Sequence, residues 1–474
     1  MSDFPFLGGS FNGRSLSFDA QRTVNLYLEA TESGTSRSAA MLIGTPGLLL
    51  WTALAGGRVR GMIAFSDTVS VIVCGTNVWK VTNDKTATLL GVVIDEGPIV
   101  SMASNGQVIM MVGGTLGYFI NPTAGTVTPI GDLDFQGSTN VYFVDGYFAF
   151  NKLNTGQFQI SQLYGTDIDG LDYATAEGAP DPLISLIVDH REIWLLGTET
   201  VEVWINVGAP DFPFQRIQGA FLEVGCAAQY SVAKMDNSIF WLARDERGYG
   251  TVQRAVGYSP QRVSNHAVEN AILSYSRVDD AIAYTYTQEG HSFYVLTFPT
   301  AEATWVYDAS TNLWHERAYR YDNGTLGRHR SNCQMNFAGL TLVGDWETGN
   351  IYVLDLDTYT DNGAAIERIR VCPHIAAGAN YVFHQSLELL MQSGVGLPTG
   401  QGSDPQAMLS WSNDGGYSYG NELWAPIGKI GERRARVKWR RLGKARDRVY
   451  KVVITDPIPV VFTGCNLVVT EGLS

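Results

Sequence analysis

The sequence lacks the cysteine pattern of a disulfide framework or a zinc site. Its 474 residues include five cysteines, which are far apart and form no CxxC pair: Cys74, Cys226, Cys333, Cys372 and Cys465. Isolated cysteines in odd number are typical of chains made in a reducing cytosol. We therefore expect buried free thiols.

Long apolar runs are also absent. No segment approaches the ~18 apolar residues that a membrane-spanning helix needs. The first residues, Met1 to Phe6, lack the basic region and apolar run of a signal peptide. We expect no stable membrane insertion and no Sec-type export.

Positive charge is scarce. The chain has 33 Lys and Arg against 47 Asp and Glu, a formal net charge of -14. A dedicated duplex-DNA binder is normally basic, because phosphate neutralisation supplies much of its affinity. An acidic chain favours protein partners, or a surface that DNA passes without sticking.

Catalytic and metal motifs are missing as well. There is no GxSxG elbow, P-loop or GxGxxG after a strand. His315-Glu316 begins an HExxH motif without its second His, and His329 is expected in an exposed basic loop. Asp167 to Gly170 and Asp355 to Asp361 could hold Ca²⁺, but they lack the Gly and closing Glu of an EF-hand and favour solvated loops. We expect no catalytic residue, cofactor or metal ion.

Glycine and aromatic residues are abundant: 51 Gly, 22 Tyr, 20 Phe and 11 Trp. Hydrophobic residues make up 45% of the chain and charged residues 17%, which indicates an ordered globular protein. Many short strands joined by tight turns are typical of this composition.

One unit recurs along the chain: a strand, a turn with Asp, Asn or Gly, a very apolar strand, and a third strand. The turns of the successive copies lie at Asp67, Asn105-Gly106, Asp145-Gly146, Asp189-His190, Asp236-Asn237 and Glu289-Gly290, and the last copy includes Leu340 to Gly344. A spacing of roughly 40–50 residues is that of a four-stranded propeller blade. Because one blade cannot bury both faces, blades stack and close a ring. The pattern predicts an all-β fold with a β-propeller of about seven blades, alternatively six; unrelated hairpins in a sandwich are the competing interpretation.

We assign the propeller to residues 51–375. Residues 1–50 do not fit the repeat and are expected to form an arm that packs with the C-terminal domain; their Ser/Thr/Gly-rich stretch, 31–40, predicts a loop. Residues 376–474 contain several strand patterns and predict a β-sandwich platform domain. A short helix is expected at Asn265 to Ser274.

The segment Ser412 to Tyr419 resembles the Asp-box of sialidases, a Ser-x-Asp-x-Gly turn with a following aromatic residue. It permits two interpretations, a glycosidase propeller or a hairpin turn held by an Asp side chain. The box occurs once and lies outside the repeats, which favours the turn. A glycosidase would also need two placed carboxylates, and no pair stands out.

A basic strip interrupts the acidic chain. From Lys429 to Lys451 there are eleven Lys and Arg against two acids, a local charge of +9 that leaves -23 elsewhere. Beyond Lys429, the strip consists of Arg433, Arg434, Arg436, Lys438, Arg440, Arg441, Lys444, Arg446, Arg448 and Lys451. It could contact a neighbouring subunit or DNA phosphates, or be a solvated outer face. Charge complementarity favours the acidic surface of a neighbouring copy.

The sequence resembles the phage packaged-DNA stabilisation proteins over nearly its whole length. The N-terminal and central similarity lies in Val24 to Tyr27, Thr45 to Leu48, Asp167 to Pro182, Asp189 to Trp194, Thr200 to Trp204, Phe212 to Arg216, Gly225-Cys226 and Ser231 to Ala233. The C-terminal similarity lies in Ser412 to Tyr419, Trp439 to Gly443 and Pro457 to Cys465.

The resemblance implies a structural virion protein and no enzyme. It implies a subunit of the tail hub or nozzle of short-tailed, podovirus-type phages, which closes the head after packaging, stabilises packaged DNA and forms part of the ejection channel. Expected partners are further copies in a hexameric ring, head-to-tail adaptor proteins, tail needle, fibre or tailspike proteins, and duplex DNA that passes without sequence-specific binding. The expected location is the virion tail, after assembly in the host cytoplasm. The alternative is a glycan-binding or glycan-cleaving propeller used in receptor binding.

Overall fold

The computed structural model describes residues 2–32, 38–244 and 250–472, so part of the loop expected at 31–40 lies outside the described residues. The chain begins with six strands that belong to several sheets. They are β1 (Ser2–Asp3), β2 (Phe11–Asn12), β3 (Ala20–Val24), β4 (Leu26–Ala30), β5 (Ala40–Gly44) and β6 (Gly47–Ala53).

Four antiparallel sheets of four strands follow, and we name them blades 1 to 4. Blade 1 has β7 (Val59–Ala64), β8 (Val69–Cys74), β9 (Asn77–Thr82) and β10 (Ala87–Val92). Blade 2 has β11 (Ser101–Ser104), β12 (Ile109–Val112), β13 (Gly117–Asn121) and β14 (Thr126–Pro129). Blade 3 has β15 (Val141–Val144), β16 (Tyr147–Asn151), β17 (Gln157–Ser161) and β18 (Ile168–Thr175). Blade 4 has β19 (Leu183–Asp189), β20 (Glu192–Gly197), β21 (Val201–Asn206) and β22 (Phe214–Leu222).

Three further sheets continue the series as blades 5 to 7. Blade 5 has β23 (Gly225–Cys226), β24 (Ala233–Met235), β25 (Ser238–Arg244), β26 (Gly250–Val256) and β27 (Ser259–Arg262), followed by helix α1 (His266–Ser274). Blade 6 has β28 (Ile282–Gln288), β29 (His291–Phe298), β30 (Ala303–Asp308) and β31 (Leu313–Glu316), and a hairpin follows with β32 (Ala318–Arg320) and β33 (Leu326–Arg328). Blade 7 has β34 (Ser331–Phe337), β35 (Leu340–Asp345), β36 (Asn350–Asp355) and, from the N-terminal region, β6.

The remaining strands lie in the C-terminal part. They are β37 (Thr360–Asp361), β38 (Ala364–Ala365), β39 (Arg368–Val371), β40 (Ile375–Ala376), β41 (Val382–Met391), β42 (Gln406–Ser412), β43 (Leu423–Pro426), β44 (Val437–Arg440), β45 (Lys444–Ala445), β46 (Asp447–Ile454) and β47 (Val461–Glu471).

The period-two pattern of the strands explains why blades stack. In β8, Val71 and Val73 pack toward blade 2, whereas Ile72 and Cys74 pack toward blade 7. Alternate side chains of a strand point to opposite faces, so one apolar strand supplies two interfaces. An apolar cluster fills each successive pair of blades, including blades 7 and 1, which closes the ring.

The expected turns lie where the sequence signals place them, except that the turn of blade 4 consists of His190 and Arg191, one residue beyond the expected Asp189-His190. Asp145 and Gly146 have φ of 51° and 94°, and Asp236 and Asn237 have φ of 52° and 55°. Two consecutive residues of positive φ match the twist of the flanking strands in a tight hairpin. The expected helix is confirmed as α1, whose first turn is capped by the Asn265 side chain accepting from the Val268 N–H group.

Two sheets pack face to face in the C-terminal part and form the sandwich. One sheet has the strand order β4-β5-β47-β41-β44. The other is the C-terminal part of the sheet that passes through β3, with the strand order β39-β46-β42-β43. Their shared core includes Leu26, Leu387, Leu409 and Val452. The N-terminal strands β4 and β5 thus complete a sheet of the sandwich, while β6 completes blade 7.

Strand β3 joins the propeller to the sandwich. Its Val24 pairs with Glu316 of blade 6 on one side and with Ile369 of β39 on the other, so one continuous sheet crosses both parts. Buried Arg370 fixes the N-terminal segment by donating to the carbonyl oxygens of Phe6 and Gly9. Strand β6 runs through residue 50 and strand β40 through residues 375 and 376, so a strand crosses each of the two assigned domain limits. Those limits remain predictions.

Candidate interaction surfaces

The basic strip does not form one continuous face. Strand β44 belongs to one sheet of the sandwich and β46 to the other, so the strip residues divide between them. Val437, Trp439 and Leu442 interleave with the strip and lie in the sandwich core. Among the strip residues Arg448 is buried, whereas most of the others are exposed.

Arg448 is buried and serves the sandwich itself. Its guanidinium donates to Asn413 Oδ1 at 2.9 Å and to the carbonyl oxygens of Leu442 and Lys444. It also lies 5.0 Å from the centre of the Trp411 ring. With 2% exposure, Arg448 cannot contact a partner, which corrects its place in the candidate strip.

Several other strip charges are paired or stacked within the chain. Arg436 and Lys438 both bind Glu388, at 2.6 Å and 3.4 Å. Lys444 and Arg446 lie over the Tyr381 ring and Lys451 over the Tyr419 ring. Among the exposed members, Arg433, Arg434, Arg440 and Arg441 have no ion pair within the described residues. The roles of the strip stay predictions.

The Asp-box segment is a turn between β42 and β43. Asp414 accepts hydrogen bonds from the Ser412 and Ser418 hydroxyls and from the backbone N–H groups of Tyr417 and Ser418. These bonds, that of Ser412 foremost, lower the pKa of the Asp414 carboxyl. The carboxylate is engaged by its own loop, as expected for a turn-forming side chain.

The expectation for His329 is wrong. It is 1% exposed, its Nδ1 lies 2.7 Å from Ser331 Oγ, and burial lowers its pKa well below the ordinary value. The neighbouring Arg330 binds Asp345 at 2.8 Å and Glu347 at 2.5 Å. Local charge in the sequence suggested exposure, but the tertiary carboxylates allow Arg330 to be covered.

The His315-Glu316 pair is also structural. Burial lowers the pKa of His315 to about 3, and Glu316 binds Arg22 of β3 with oxygen–nitrogen distances of 2.5 and 3.0 Å. The ion pair reinforces the junction at which β3 meets blade 6. Within residues 2–32, 38–244 and 250–472, no group of three or more His, Cys, Asp and Glu side chains is placed to hold a metal ion.

The centre of the propeller contains a cavity of about 240 Å³ between the first strands of several blades. Its lining includes Gly61, Tyr142, Tyr230, Tyr284 and Asn332, and the lining residues that the structure describes include no Lys, Arg, Asp or Glu. The major groove of duplex DNA is by itself about 12 Å wide, so a duplex is far too large to enter this cavity. Duplex DNA cannot pass through the axis of one propeller.

A second surface, which the sequence reasoning missed, lies at the outer edge of blade 3. Strand β18 ends the sheet, and Leu171 on it is 83% exposed. Asp132 and Asp134 bind the backbone N–H groups of Ile168 and Gly170, which places two carboxylates against this strand. A signal was present in the sequence, because Lys152 is the one Lys or Arg among residues 86–189, against eleven Asp and Glu.

Comparison with known proteins decides the family. The model of one family, described as the bacteriophage P22 Gp10 β-propeller, matches residues 2–359, and that of its β-sandwich matches residues 367–470. The chain belongs to the P22 Gp10 family. The predicted family and the predicted combination of propeller and sandwich are therefore confirmed.

This Gp10-family chain is a structural protein of a phage tail. The family description names a propeller without a blade number, so the count of seven rests on the order of the sheets. In the described part of the chain, no helix combines the length and apolarity needed to cross a bilayer.

Solved structures resemble the chain weakly. The computationally designed protein Ika8 shows 14% identity and a TM-score of 0.38, over 71% of this chain and 100% of its own. PorZ of Porphyromonas gingivalis shows 12% identity and a TM-score of 0.39, over 66% of this chain and 38% of its own. YCF48, in a structure with a D1 peptide, shows 10% identity and a TM-score of 0.41, over 69% of this chain and 98% of its own. No curated protein sequence matches this Gp10-family chain.

Proposed function

We propose that the chain is a subunit of the tail hub or nozzle, a ring that closes the filled head, holds the packaged DNA and later forms part of its exit channel. The observation that carries the proposal is the match of both Gp10 models to one chain, at residues 2–359 and 367–470. The proposed ring is hexameric, is assembled in the host cytoplasm, and contacts adaptor proteins on one side and needle, fibre or tailspike proteins on the other.

The fold supports a mechanical role. The sheet that runs through β3 connects the propeller and the sandwich by backbone hydrogen bonds on both sides of Val24. Such a connection resists bending better than a flexible linker does. A rigid two-part subunit suits the wall of a channel that must withstand the pressure of packaged DNA.

Charge and cavity size support a channel formed between copies. The cavity at the propeller centre is about 240 Å³, so DNA would follow an axis that several copies surround. The net charge of -14 disfavours tight binding of phosphates to the wall. DNA could therefore be retained by closure of the channel and released without breaking strong contacts.

The proposal can be tested with a phage that carries a stop codon in this gene. Grown without a complementing copy of the gene, this phage should yield particles that package DNA and then lose it. Such particles should contain little nuclease-resistant DNA and should lack the hub in electron micrographs. Complementation with the intact gene is the control. Particles that retain their DNA and an intact hub but fail to shorten or bind host lipopolysaccharide would favour the glycan alternative instead.

A further inference from the structure

The outer edge of blade 3 presents apolar side chains that the chain itself leaves uncovered. The exposed fractions are 95% for Leu133, 83% for Leu171 and 40% for Tyr173. We call this surface, with strand β18, the blade 3 edge. An edge strand with exposed apolar residues is a typical site of protein association.

Carboxylates surround the blade 3 edge. Asp167, Asp169 and Glu177 are exposed on or beside β18, and Asp132 and Asp134 are held against it by the Ile168 and Gly170 N–H groups. The nearest cation in the sequence, Lys152, lies 5.8 Å from the centre of the Tyr173 ring. The partner of this surface should therefore combine apolar and basic groups.

The sandwich of the same chain presents such a surface. Trp424 and Ile430 are 63% and 62% exposed, and Arg433, Arg434 and Arg440, close to them in the sequence, are exposed as well. The indole of Trp439, next to Arg440 on edge strand β44, donates to the Leu423 carbonyl oxygen at 2.8 Å, which brings β44 beside β43. We call these five exposed residues the sandwich edge.

Blade 3 and the junction with the sandwich lie on opposite sides of the propeller ring. The sandwich is joined to blade 6 through β3, and β6 ties the N-terminal strands to blade 7. In a closed order of seven sheets, blade 3 lies across the ring from blades 6 and 7. Of the element pairs in close contact, none joins blade 3 to the C-terminal strands in the part of the chain that the structure describes.

We propose that the sandwich edge of one copy docks on the blade 3 edge of the next copy. The contact is heterologous, because two different surfaces meet, and such contacts form a ring when the rotation between copies closes. Complementary charge sets the register, and the apolar side chains supply buried area. This inference rests on the proposed function in that it names the contact between hub subunits.

The test uses the purified full-length chain, with assembly measured by sedimentation and by mass photometry. One variant carries Asp167→Lys, Asp169→Lys and Glu177→Lys, and the other carries Arg433→Glu, Arg434→Glu and Arg440→Glu. Each should weaken self-association by on the order of 100-fold or more, because like charges then meet at the contact. The variant that carries all six changes should regain assembly, because the charges are again complementary.

A matched control reverses three exposed acids outside both edges, Asp67→Lys, Asp211→Lys and Asp322→Lys, and should assemble as the unchanged chain does. Circular dichroism and the thermal midpoint show whether each variant is folded. If the variant with all six substitutions is folded but stays dissociated, the proposed pairing of these two edges is wrong.

Other outcomes separate the contact from the function. If both triple variants assemble normally, the edges are not the contact, and the hub proposal still stands on the virion test. A basic-edge variant that assembles but loses salt-sensitive affinity for duplex DNA in a filter assay identifies DNA as the partner of the sandwich edge. An unchanged chain that stays monomeric at 100 µM in low salt, about 0.05 M, overturns self-docking.

Discussion

Arg436 and Glu388 form a two-pronged ion pair across the edge of the sandwich. The guanidinium Nε and Nη2 lie 2.6 Å from Oε1 and Oε2 of the carboxylate, and the pair joins the start of β44 to β41. This geometry is the most specific that Arg and a carboxylate adopt. Arg436 is thus committed to its own chain and contributes less than its full charge to any partner.

We predict that Glu388→Gln lowers the urea midpoint slightly at pH 7, because Arg436 and Lys438 then repel each other. The bond from Arg436 lowers the pKa of the Glu388 carboxyl. A lowered folded pKa gives stability that is present above the ordinary Glu pKa of about 4.3 and lost as pH falls through the folded value. The difference between Glu388→Gln and the unchanged chain should therefore shrink as the pH falls below the ordinary Glu pKa of about 4.3; a constant difference would show that the pair is not its source.

Arg448 should matter for folding and not for assembly. Arg448→Ala leaves the carbonyl oxygens of Leu442 and Lys444 without a buried donor, at a cost of about 3 kcal/mol in unfolding free energy. The matched variant Arg440→Ala changes an exposed member of the same strip and should stay within about 0.5 kcal/mol. Urea unfolding monitored by Trp fluorescence measures both, and equal effects would contradict the burial assigned to Arg448.

Asp361 should make stability depend on pH in the opposite sense to Glu388. Burial raises the pKa of its carboxyl to about 6, against the opposing effect of Arg317 and Arg368. A raised folded pKa gives stability that is present below the ordinary Asp value of about 3.9 and lost as pH rises through the folded value. Relative to Asp361→Asn, the unchanged chain should lose roughly 2 kcal/mol between pH 4 and pH 7.

The measurement for Asp361 is the difference in urea-unfolding free energy at each pH between the two proteins. Any constant effect of losing a negative charge near Arg368 cancels in the pH dependence. The idea fails if Asp361→Asn becomes progressively less stable than the unchanged chain as pH rises.

The five thiols should be unreactive in the native protein. Four cysteines are buried and Cys333 is half-buried, and burial raises the pKa of Cys74 and Cys333 to about 12. The thiolate is the reactive form, so a disulfide reagent at pH 8 should label less than one thiol per chain within minutes. In strong denaturant it should label all five. Rapid labelling of Cys74 or Cys333 in the native protein would reveal an opening of the interface between blades 7 and 1, where these two thiols lie.

The blades were predictable because their signals are local. In β8, the run Val69–Cys74 is apolar except for Ser70, so both faces of the strand carry apolar side chains, which a strand covered on two sides requires. Asp145 and Asp236, followed by Gly146 and Asn237, mark hairpins because these residues tolerate positive φ. Neither signal depends on what lies elsewhere in the chain.

The candidate surface was only partly predictable. Arg440 and Arg448 are eight positions apart in one basic run, yet one is exposed and the other buried. Their difference depends on Asn413 and Trp411, which a distant strand brings to Arg448. The acidic composition of residues 86–189 was visible in the sequence, but its location opposite the sandwich depends on how the ring closes.

The sequence by itself determined the fold class, the repeating blade, the sandwich and the family, since short-range alternation, turn residues and ordered motifs carry them. Tertiary structure alone decided that β6 closes blade 7, that Val24 of β3 connects two parts of the molecule, and which charges remain free. Pairing between residues hundreds of positions apart leaves no local pattern. The burial of a charged side chain is decided by the donors and acceptors that folding brings around it.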